Sequence, residues 1–466
     1  MREARTAPGM LAREELTDLV GRGEIDTVLT VFPDMYGRLM GKRITGHFFL
    51  EEVAQHGMHV CDYLLACDME MDPVAGYGFA SWDKGYGDVL CKPDLLTLRR
   101  AAWLENTAVV ICDLYAENDG LPVAVSPRAI LKAQLARAAE KGLVAKAGSE
   151  LELFLFREDY EEAAAKNFDD LSTMGWYVED YHTLCSTVEE PLVGAIRRAM
   201  DASGIPVEFS KGEWGPGQHE INLRYAPMLE MADRHVIYKQ AAKQIAMQQG
   251  LSVTYMAKFD EALAGNSCHL HSSLWREEDQ RSVFTGTEAL AGTPVSCSAE
   301  FRWYLGGLVS RAAESSLFFA PNVNSYKRYR PATFAPTAIA WSWDNRTVGF
   351  RVIGHGDAMR VECRIPGADA NPYLVMAATL AAGLQGIDEQ IEPPQAFSGD
   401  AYAASGLPTV PLDLREALDI FRASAFNRRV YGNDVVDHYA HFAEVELEKF
   451  SSAVTTWERR RYFERV

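Results

Sequence analysis

Polar residues recur in pairs, two positions apart, inside three apolar segments that have the composition of β-strands. The pairs are Glu150 and Glu152, His269 and His271, and Glu362 and Arg364. Because residues i and i+2 of a strand point to the same face, each segment directs two polar side chains one way and apolar side chains the other way. Polar groups on the inner face of an apolar strand are costly unless they are paired or bind a metal ion. The pattern predicts a metal-centred active site on a sheet.

The charge of the chain limits the classes of partner. The 46 basic and 65 acidic residues give a net charge of −19, which argues against nucleic acid, because nucleic acid requires a basic surface. A cationic or amine substrate is compatible with this charge. With 466 residues, of which 48% are hydrophobic, we expect two or more domains.

The cysteines and the apolar segments indicate the compartment. The eight cysteines are scattered without a Cys-x-x-Cys pair, so we expect free thiols in a reducing environment rather than a structural zinc site. No apolar run approaches the about 18 residues of a membrane helix, and the first residues lack a secretory signal. We therefore expect a soluble cytoplasmic protein without a membrane partner.

The distribution of strand and helix patterns predicts two domains, residues 1–122 and residues 123–466. The first part has strand candidates at 27–32 and 109–115 among long loops. Ser126 and Pro127 then suit the start of a helix. Further amphipathic helices are expected at 191–203, 229–249, 299–314 and 371–383, between the strands that carry the polar pairs. The expected fold class is α+β.

Two further groups of residues extend the candidate site. The segment Glu213-Trp-Gly-Pro-Gly-Gln-His-Glu220 adds two carboxylates around a turn. Oxygen-rich sites with one histidine favour Mg²⁺ or Mn²⁺ over zinc. A basic group contains Arg328, Arg346, Arg351 and Arg364, whose guanidinium groups can bind phosphate and carboxylate oxygens. Acidic metal ligands beside arginines are what phosphoryl transfer requires.

Taken in order, the motifs resemble those of type I glutamine synthetases over roughly residues 105–385. They are Gly148-Ser-Glu-Leu-Glu152, Gly217-Gln-His-Glu220, the segment from Lys258 to Ser273, Asn324-Ser-Tyr-Lys-Arg328, Asn345-Arg346, Arg360-Val-Glu-Cys-Arg364 and Ala370-Asn-Pro-Tyr373. One such motif is a weak signal, but this many in family order argue strongly against chance. The resemblance implies an N-terminal β-grasp-like domain and a larger catalytic domain with a curved antiparallel sheet flanked by helices.

The resemblance also implies the ligands and the assembly. Glutamate and ATP would be substrates, with two or three Mg²⁺ or Mn²⁺ ions in each site. The sites would lie between neighbouring subunits of a homo-oligomeric ring, and two hexameric rings would form a dodecamer.

Residue roles follow from the same resemblance. The ion nearer glutamate would be held by Glu152, Glu213 and Glu220. The ion that bridges the nucleotide phosphates would be held by Glu150, His269 and Glu362. The nucleotide would contact His271, Ser273 and Arg351. The amino-acid substrate would contact Arg328 and Gly265. The γ-phosphate and the acyl phosphate would be surrounded by Arg346, Arg351 and Arg364, of which Arg346 and Arg364 are the catalytic candidates.

The chain departs from the family pattern where ammonium would bind. Ammonia-using members carry a glutamate before Ala-Pro in the flap that closes the site, and Phe334 stands there in this chain. A phenyl ring cannot accept a proton, although it can contact a cation through its π face. In the small domain the family's Asp-Gly-Ser-Ser loop is altered, and Asp62 and Asp88 are the acidic candidates for an amine pocket. One of these carboxylates would deprotonate the attacking amine.

These observations predict a ligase that joins the γ-carboxylate of glutamate to an organic amine, ethanolamine or a polyamine, through γ-glutamyl phosphate, as a step in nitrogen utilisation. Three alternatives stay open at this point. They are an ordinary ammonia-using glutamine synthetase, a non-catalytic structural or regulatory member of the fold, and a ligase for another acid. Phe334 argues against the first, and the six filled ligand positions argue against the second.

Overall fold

The computed structural model describes residues 7–330 and 334–466, and its strands form two large sheets and one short ladder. The strands are β1 (Thr27–Pro33), β2 (Leu39–Thr45), β3 (Met58–Cys61), β4 (Asp88–Pro93), β5 (Arg99–Arg100), β6 (Thr107–Ala116), β7 (Leu143–Phe156), β8 (Val207–Gly212), β9 (Gln218–Leu223), β10 (Ala226–Pro227), β11 (Ser252–Thr254), β12 (Cys268–Arg276), β13 (Glu288–Ala289), β14 (Ser296–Cys297), β15 (Trp341–Trp343), β16 (Phe350–Ile353) and β17 (Arg360–Cys363).

The helices lie mainly in the C-terminal three quarters of the chain. They are α1 (Arg13–Gly21), α2 (Gly46–Phe48), α3 (Ala54–His56), α4 (Pro127–Ala139), α5 (Tyr160–Ala165), α6 (Thr183–Ser186), α7 (Glu190–Ala202), α8 (Met228–Gln248), α9 (Ala299–Phe319), α10 (Pro372–Glu389), α11 (Leu414–Ala423), α12 (Ala425–Tyr431), α13 (Asn433–Ser452) and α14 (Thr456–Tyr462). No helix in the described ranges is long and apolar enough to cross a membrane.

The first sheet contains β1 to β6 in the order β2-β1-β6-β4-β3, with β5 paired to β6. β1 and β6 run parallel, and the other pairs are antiparallel. The second sheet has nine strands in the order β15-β16-β17-β12-β7-β9-β8, with β10 and β11 also paired to β7. The mixture of helices and sheets agrees with the expected α+β class.

The long strand β7 is at the centre of the second sheet, and its two faces have different environments. α4 and α8 pack on one face, where Ser149 contacts Nδ1 of His235 of α8 at 2.8 Å. Since side chains alternate along a strand, Glu150 and Glu152 point to the opposite face. α10 packs on the outer side against α4, α8 and α9. The helices therefore bury the apolar face of the sheet and leave the polar face for chemistry.

The helix starts agree with the sequence patterns, while two helix ends do not. α4 begins at Pro127 as expected, although the side chain of Ser126 makes no capping hydrogen bond. α9 continues to Phe319 and α10 to Glu389, beyond the expected ends. Gly383, the expected end, lies inside α10. A Cβ atom at this position would be 2.0 Å from the ring of Tyr304 of α9. The glycine allows close helix packing and does not end the helix.

A network around one buried arginine connects helices α4, α8 and α10 to the first sheet. Arg128 of α4 is 1% exposed and donates to Asp233 of α8 at 3.1 and 3.0 Å. Its other donors reach Asp113 of β6 at 2.5 Å and Asp94 at 2.8 Å. Tyr373 of α10 donates to the same Asp233 carboxylate at 2.6 Å. This network connects the first sheet to the helical layer.

We expect Arg128→Ala to lower the free energy of unfolding by roughly 3–5 kcal/mol, because it leaves buried carboxylates without their counter-charge. Urea denaturation at fixed protein concentration measures this change. The matched control is Arg22→Ala, since Arg22 forms an exposed ion pair with Glu24 and should change stability little. Equal unfolding curves for the two variants would contradict the structural role of the network.

Candidate active site

The strands that carry the polar pairs are neighbours in the second sheet, and their register brings the pairs together. In the pairing of β7 with β12, His269 stands opposite Glu150. In the pairing of β7 with β9, Glu220 stands opposite Glu152. The prediction of adjacent strands with polar side chains on one face is confirmed for these residues.

The third pair is only partly inside a strand. Glu362 of β17 stands opposite His271 of β12. β17 ends at Cys363, so Arg364 lies one residue past the strand. Its backbone N–H still donates to the carbonyl of Gly349 at 2.9 Å, and its guanidinium group contacts the carboxylate of Glu362. The extended chain therefore keeps the two side chains together beyond the last strand residue.

Glu152, Glu213 and Glu220 form a compact group, here called the Glu213 cluster, with ligand atoms within 4.8 Å of one another. Burial and the charge of Glu213 raise the pKa of Glu152 to about 8. Burial and the charge of Glu150 raise the pKa of Glu220 to about 9. Three carboxylates this close are unfavourable when all are charged, and the contact of Lys211 with Glu213 offsets only part of their repulsion.

A second group, here called the Glu150 cluster, contains Glu150, His271 and Glu362, again with ligand atoms within 4.8 Å. The resemblance assigns His269 to this ion, and His269 contacts the same carboxylate, with Nδ1 3.2 Å from Oε2 of Glu150. Nε of Arg360 donates to Nδ1 of His271 at 3.2 Å, so the proton of this imidazole is on Nε2, 2.7 Å from Glu150. Both histidines are therefore at the cluster.

The arginines give this side of the site a different electrostatic character. Arg351 donates to Glu362 at 2.9 Å, and Arg364 contacts the other oxygen of that carboxylate. Although burial opposes ionisation, the charges of Arg364 and the two histidines hold the pKa of Glu362 at about 2. Arg346 is exposed, forms no hydrogen bond or ion pair with another described residue, and lines an open cavity with Arg351. The guanidinium groups of these arginines give this side of the site the positive charge that anionic substrates require.

A cavity of about 550 Å³ adjoins the Glu150 cluster. Of the three residues that the resemblance assigns to the nucleotide, His271 and Ser273 line it, whereas Arg351 lines a different cavity. The lining residues that the sequence did not identify include Lys146, Tyr225 and Trp275. Lys146 lies 3.7 Å above the ring of Trp275. The positions of Lys146 on β7 and Trp275 on β12 could have indicated these two, since they continue the polar face, whereas Tyr225 lies outside both strands.

The residues assigned to the amino-acid substrate also lie together. A Cβ atom at Gly265 would be 2.6 Å from Cγ of Arg328, so this glycine is needed for close packing of the arginine. Arg328 is 1% exposed and donates to Ser267 at 3.1 Å. Gln218, which the sequence did not identify, donates to the carbonyl of Gly265 at 3.0 Å and lies 3.4 Å from Glu152. Gln218 thereby connects this region to the Glu213 cluster.

Phe334 lies at the rim of the site beside the Glu213 cluster. Its ring centroid is 5.3 Å from that of Trp214, the residue after Glu213, and 52% of Phe334 is exposed. Its backbone has φ of +59°, an unfavourable region for a non-glycine residue. The preceding residues of the flap, 331–333, lie outside the described ranges. Trp214 was not identified from the sequence, although its position next to a predicted ligand could have indicated it.

Asp62 and Asp88 are not brought to the clusters within one chain. Asp88 begins β4 of the first sheet and pairs with Cys61, and Asp62 follows the end of β3. Oδ2 of Asp62 accepts from the N–H of Gly87 at 3.1 Å. Burial raises the pKa of Asp62. In the described ranges, neither carboxylate makes a hydrogen bond or an ion pair with a residue of either cluster. Their expected role in catalysis stays a prediction.

Comparison with known proteins places this geometry in a family. The profile described as glutamine synthetase, catalytic domain, matches residues 124–462. The γ-glutamylethanolamide synthetase of Streptomyces coelicolor is 47% identical over 462 residues, covering 99% of this chain and 97% of that protein. The glutamate–isopropylamine ligase of a Pseudomonas species is 35% identical over 461 residues, covering 97% of each.

A solved structure of GmaS in complex with ADP has a TM-score of 0.83 and 29% identity, and it covers 96% of this chain and 99% of that one. This match confirms the expected fold class. The profile, the two relatives and the solved structure agree with the motifs from which the resemblance was inferred. The chain therefore belongs to the glutamine synthetase family of ATP-dependent ligases.

Proposed function

We propose that this ligase joins the γ-carboxylate of glutamate to a small organic amine and that ethanolamine is its substrate. The observation that carries the proposal is the aromatic pair of Phe334 and Trp214 beside Glu213, where ammonia-using members place a glutamate. An aromatic rim favours a carbon-bearing amine over ammonium, because it offers apolar contact and no carboxylate for a small cation. Further support is the 47% identity to a relative named for γ-glutamylethanolamide synthesis.

The proposed reaction has two steps. The γ-carboxylate oxygen of glutamate attacks the γ-phosphorus of ATP, which forms γ-glutamyl phosphate and releases ADP. The neutral amine then attacks the acyl carbon, phosphate leaves, and the nitrogen loses a proton. Arg346, Arg351 and Arg364 would stabilise the negative charge of the migrating phosphoryl group, and Arg328 would bind the amino-acid carboxylate.

The residues present fit divalent ions. Nε2 of His269 is buried and has no hydrogen-bond partner among the described residues, and the raised pKa values of Glu152 and Glu220 show the cost of placing carboxylates together without a cation. The Glu213 cluster would hold one ion, and Glu150, Glu362 and a histidine would hold the other. Mg²⁺ or Mn²⁺ bound there would neutralise the charges of the nucleotide and acyl phosphates.

The amine must lose a proton, and the first sheet offers Asp62 and Asp88 for that role. Because neither contacts the clusters of its own chain, we infer that a neighbouring subunit supplies them, as in a ring whose sites lie between subunits. The domain division at residue 122, the dodecamer and the use of polyamines remain parts of this proposal.

We expect wild-type protein with glutamate, ATP and Mg²⁺ to release phosphate at least about 10-fold faster with ethanolamine than with ammonium. The panel includes isopropylamine, putrescine and spermidine. Phe334→Glu should reduce the preference for ethanolamine over ammonium by about 10-fold or more, because the carboxylate binds the small cation and removes apolar contact.

The matched control for that substitution is Phe168→Glu. Phe168 is also exposed and also has a positive φ, but it lies outside the site. Efficient turnover by the wild type with ammonium alone would overturn the proposal in favour of an ordinary glutamine synthetase. No turnover with any amine would favour a non-catalytic member or a different acid substrate.

The raised pKa values predict how pH changes metal binding. Glu152 and Glu220 keep protons in the metal-free folded protein that the unfolded chain releases near the ordinary value of 4.5. The free energy of unfolding of the metal-free protein should therefore fall as pH rises from about 5 towards about 9. Because a metal ion replaces these protons, Mg²⁺ should raise the thermal unfolding midpoint more at about pH 8.5 than at about pH 6.5.

Thermal unfolding with chelator and with Mg²⁺ at the two pH values measures this effect. Glu220→Gln removes one of the titrating groups and should reduce the pH dependence of the Mg²⁺ effect. Glu161→Gln, an exposed position in the first turn of α5, is the control and should leave it unchanged. A Mg²⁺ effect that is the same at both pH values in the wild type would contradict the prediction.

A further inference from the structure

A third group of metal-ligand side chains lies outside the two clusters of the active site. Glu179, Glu189 and His219 are 3%, 0% and 2% exposed, and one ligand atom of each lies within 4.8 Å of the others. Nε2 of His219 contacts Oε2 of Glu189 and is 3.7 Å from Oε2 of Glu179. Two donors that each lie about 2 Å from one ion are separated by about 3–4 Å, which matches the distance from His219 to Glu179. His219 and Glu189 are in direct contact and would move apart around an ion.

Unsatisfied polar atoms in this group point to a missing ligand. Oε2 of Glu179, Oε1 of Glu189 and Nδ1 of His219 are buried and have no hydrogen-bond partner among the described residues. Buried polar atoms without partners are rare in folded proteins and require an explanation.

Two glycines leave space at these carboxylates. A Cβ atom at Gly175 would be 2.3 Å from Oε1 of Glu179 and 3.0 Å from Oε1 of Glu189. A Cβ atom at Gly212 would be 2.9 Å from Oε2 of Glu179. Neither glycine has a positive φ, so the backbone conformation does not require glycine at either position. The carboxylates therefore pack directly against the backbone at these two positions, and a side chain there would displace them.

Oxygen-rich sites with one histidine in general favour Mg²⁺ or Mn²⁺, but the burial of all three donors favours zinc at this site. Mg²⁺ dehydrates reluctantly and usually retains several waters, which this buried group does not accommodate. Zn²⁺ accepts one imidazole nitrogen and two carboxylate oxygens at 2.0–2.2 Å in a four-coordinate site, with a second oxygen of one carboxylate as the remaining donor. The site contains no cysteine, so the absence of a Cys-x-x-Cys pair from the sequence does not argue against it.

We propose that Glu179, Glu189 and His219 form a structural site for one Zn²⁺ ion, separate from the two ion sites of catalysis. The ion would fasten the segment 172–190 to the turn between β8 and β9. That segment already contacts the turn, since the N–H of Asp180 donates to the carbonyl of Glu213 at 3.1 Å and the N–H of Tyr181 donates to that of Gly212 at 3.3 Å. The proposed site would thereby fix the backbone that carries Glu213.

The test measures zinc content and does not depend on activity. Full-length protein is treated with a chelator, equilibrated with equimolar Zn²⁺ in a large excess of Mg²⁺, desalted and analysed by mass spectrometry of its metals. The Mg²⁺ occupies the two catalytic clusters, and the buried site retains zinc. We expect about one zinc ion per chain in the wild type and less than about a tenth of that in Glu179→Gln and Glu189→Gln.

Glu190→Gln is the matched control, because Glu190 is the neighbouring carboxylate but forms an exposed ion pair with Arg197. It should retain wild-type zinc content. Zinc that is absent from the wild type, or equal in all four proteins, overturns the proposal.

A second measurement on the wild type covers the case in which the cluster variants fail to fold. Co²⁺ replaces Zn²⁺ in the Mg²⁺-saturated protein, and its visible absorption reports coordination geometry. Intense bands of four-coordinate Co²⁺ support the site. The weak spectrum of octahedral Co²⁺ overturns it.

Discussion

The register of β7 against its neighbours is the constraint on which the active site depends. It places His269 opposite Glu150 and Glu220 opposite Glu152, and it assigns these side chains to the face away from α8. A slip of one residue would turn the carboxylates into the helical core, because side chains alternate along a strand. The carboxylate of Glu152 reinforces the register, since Oε2 accepts from the N–H of Ser267 at 2.6 Å.

The two ends of the site have opposite electrostatic properties. Guanidinium groups lie against Glu362 and hold its pKa low, whereas burial and neighbouring carboxylates raise the pKa of Glu152 and Glu220. Anionic phosphates therefore meet preorganised positive charge at one end. At the other end the protein depends on an added cation to organise its own carboxylates.

Features that repeat every two residues along a strand could be predicted from the sequence. Features that arise from packing between distant segments could not. Spacing of two residues predicted the polar face that Glu150 and Glu152 share, and their partners followed from family motifs. The end of α10 was predicted wrongly because Gly383 allows close packing of Tyr304 and does not end the helix. No local sequence pattern shows this contact between two helices. The contact between Trp214 and Phe334 was also missed, because Trp214 lies in the turn between β8 and β9 and Phe334 lies more than 100 residues later in the chain.

The cluster of Glu179, Glu189 and His219 shows the same limit. Its members are far apart in the chain, and the two glutamates lie in a segment without regular spacing. Only the folding of that segment over β8 and β9 brings them together.

Glu152 belongs to the Glu213 cluster and also satisfies the backbone N–H of Ser267. Replacing it with a residue that has no acceptor would leave that buried N–H unpaired, at a cost of about 1–3 kcal/mol. Selection for folding alone would therefore retain this glutamate in a descendant gene that had stopped catalysing the reaction. For genome interpretation, the presence of this glutamate is consequently weak evidence of activity, and the exposed Arg346, which contributes no such packing, is the more informative position.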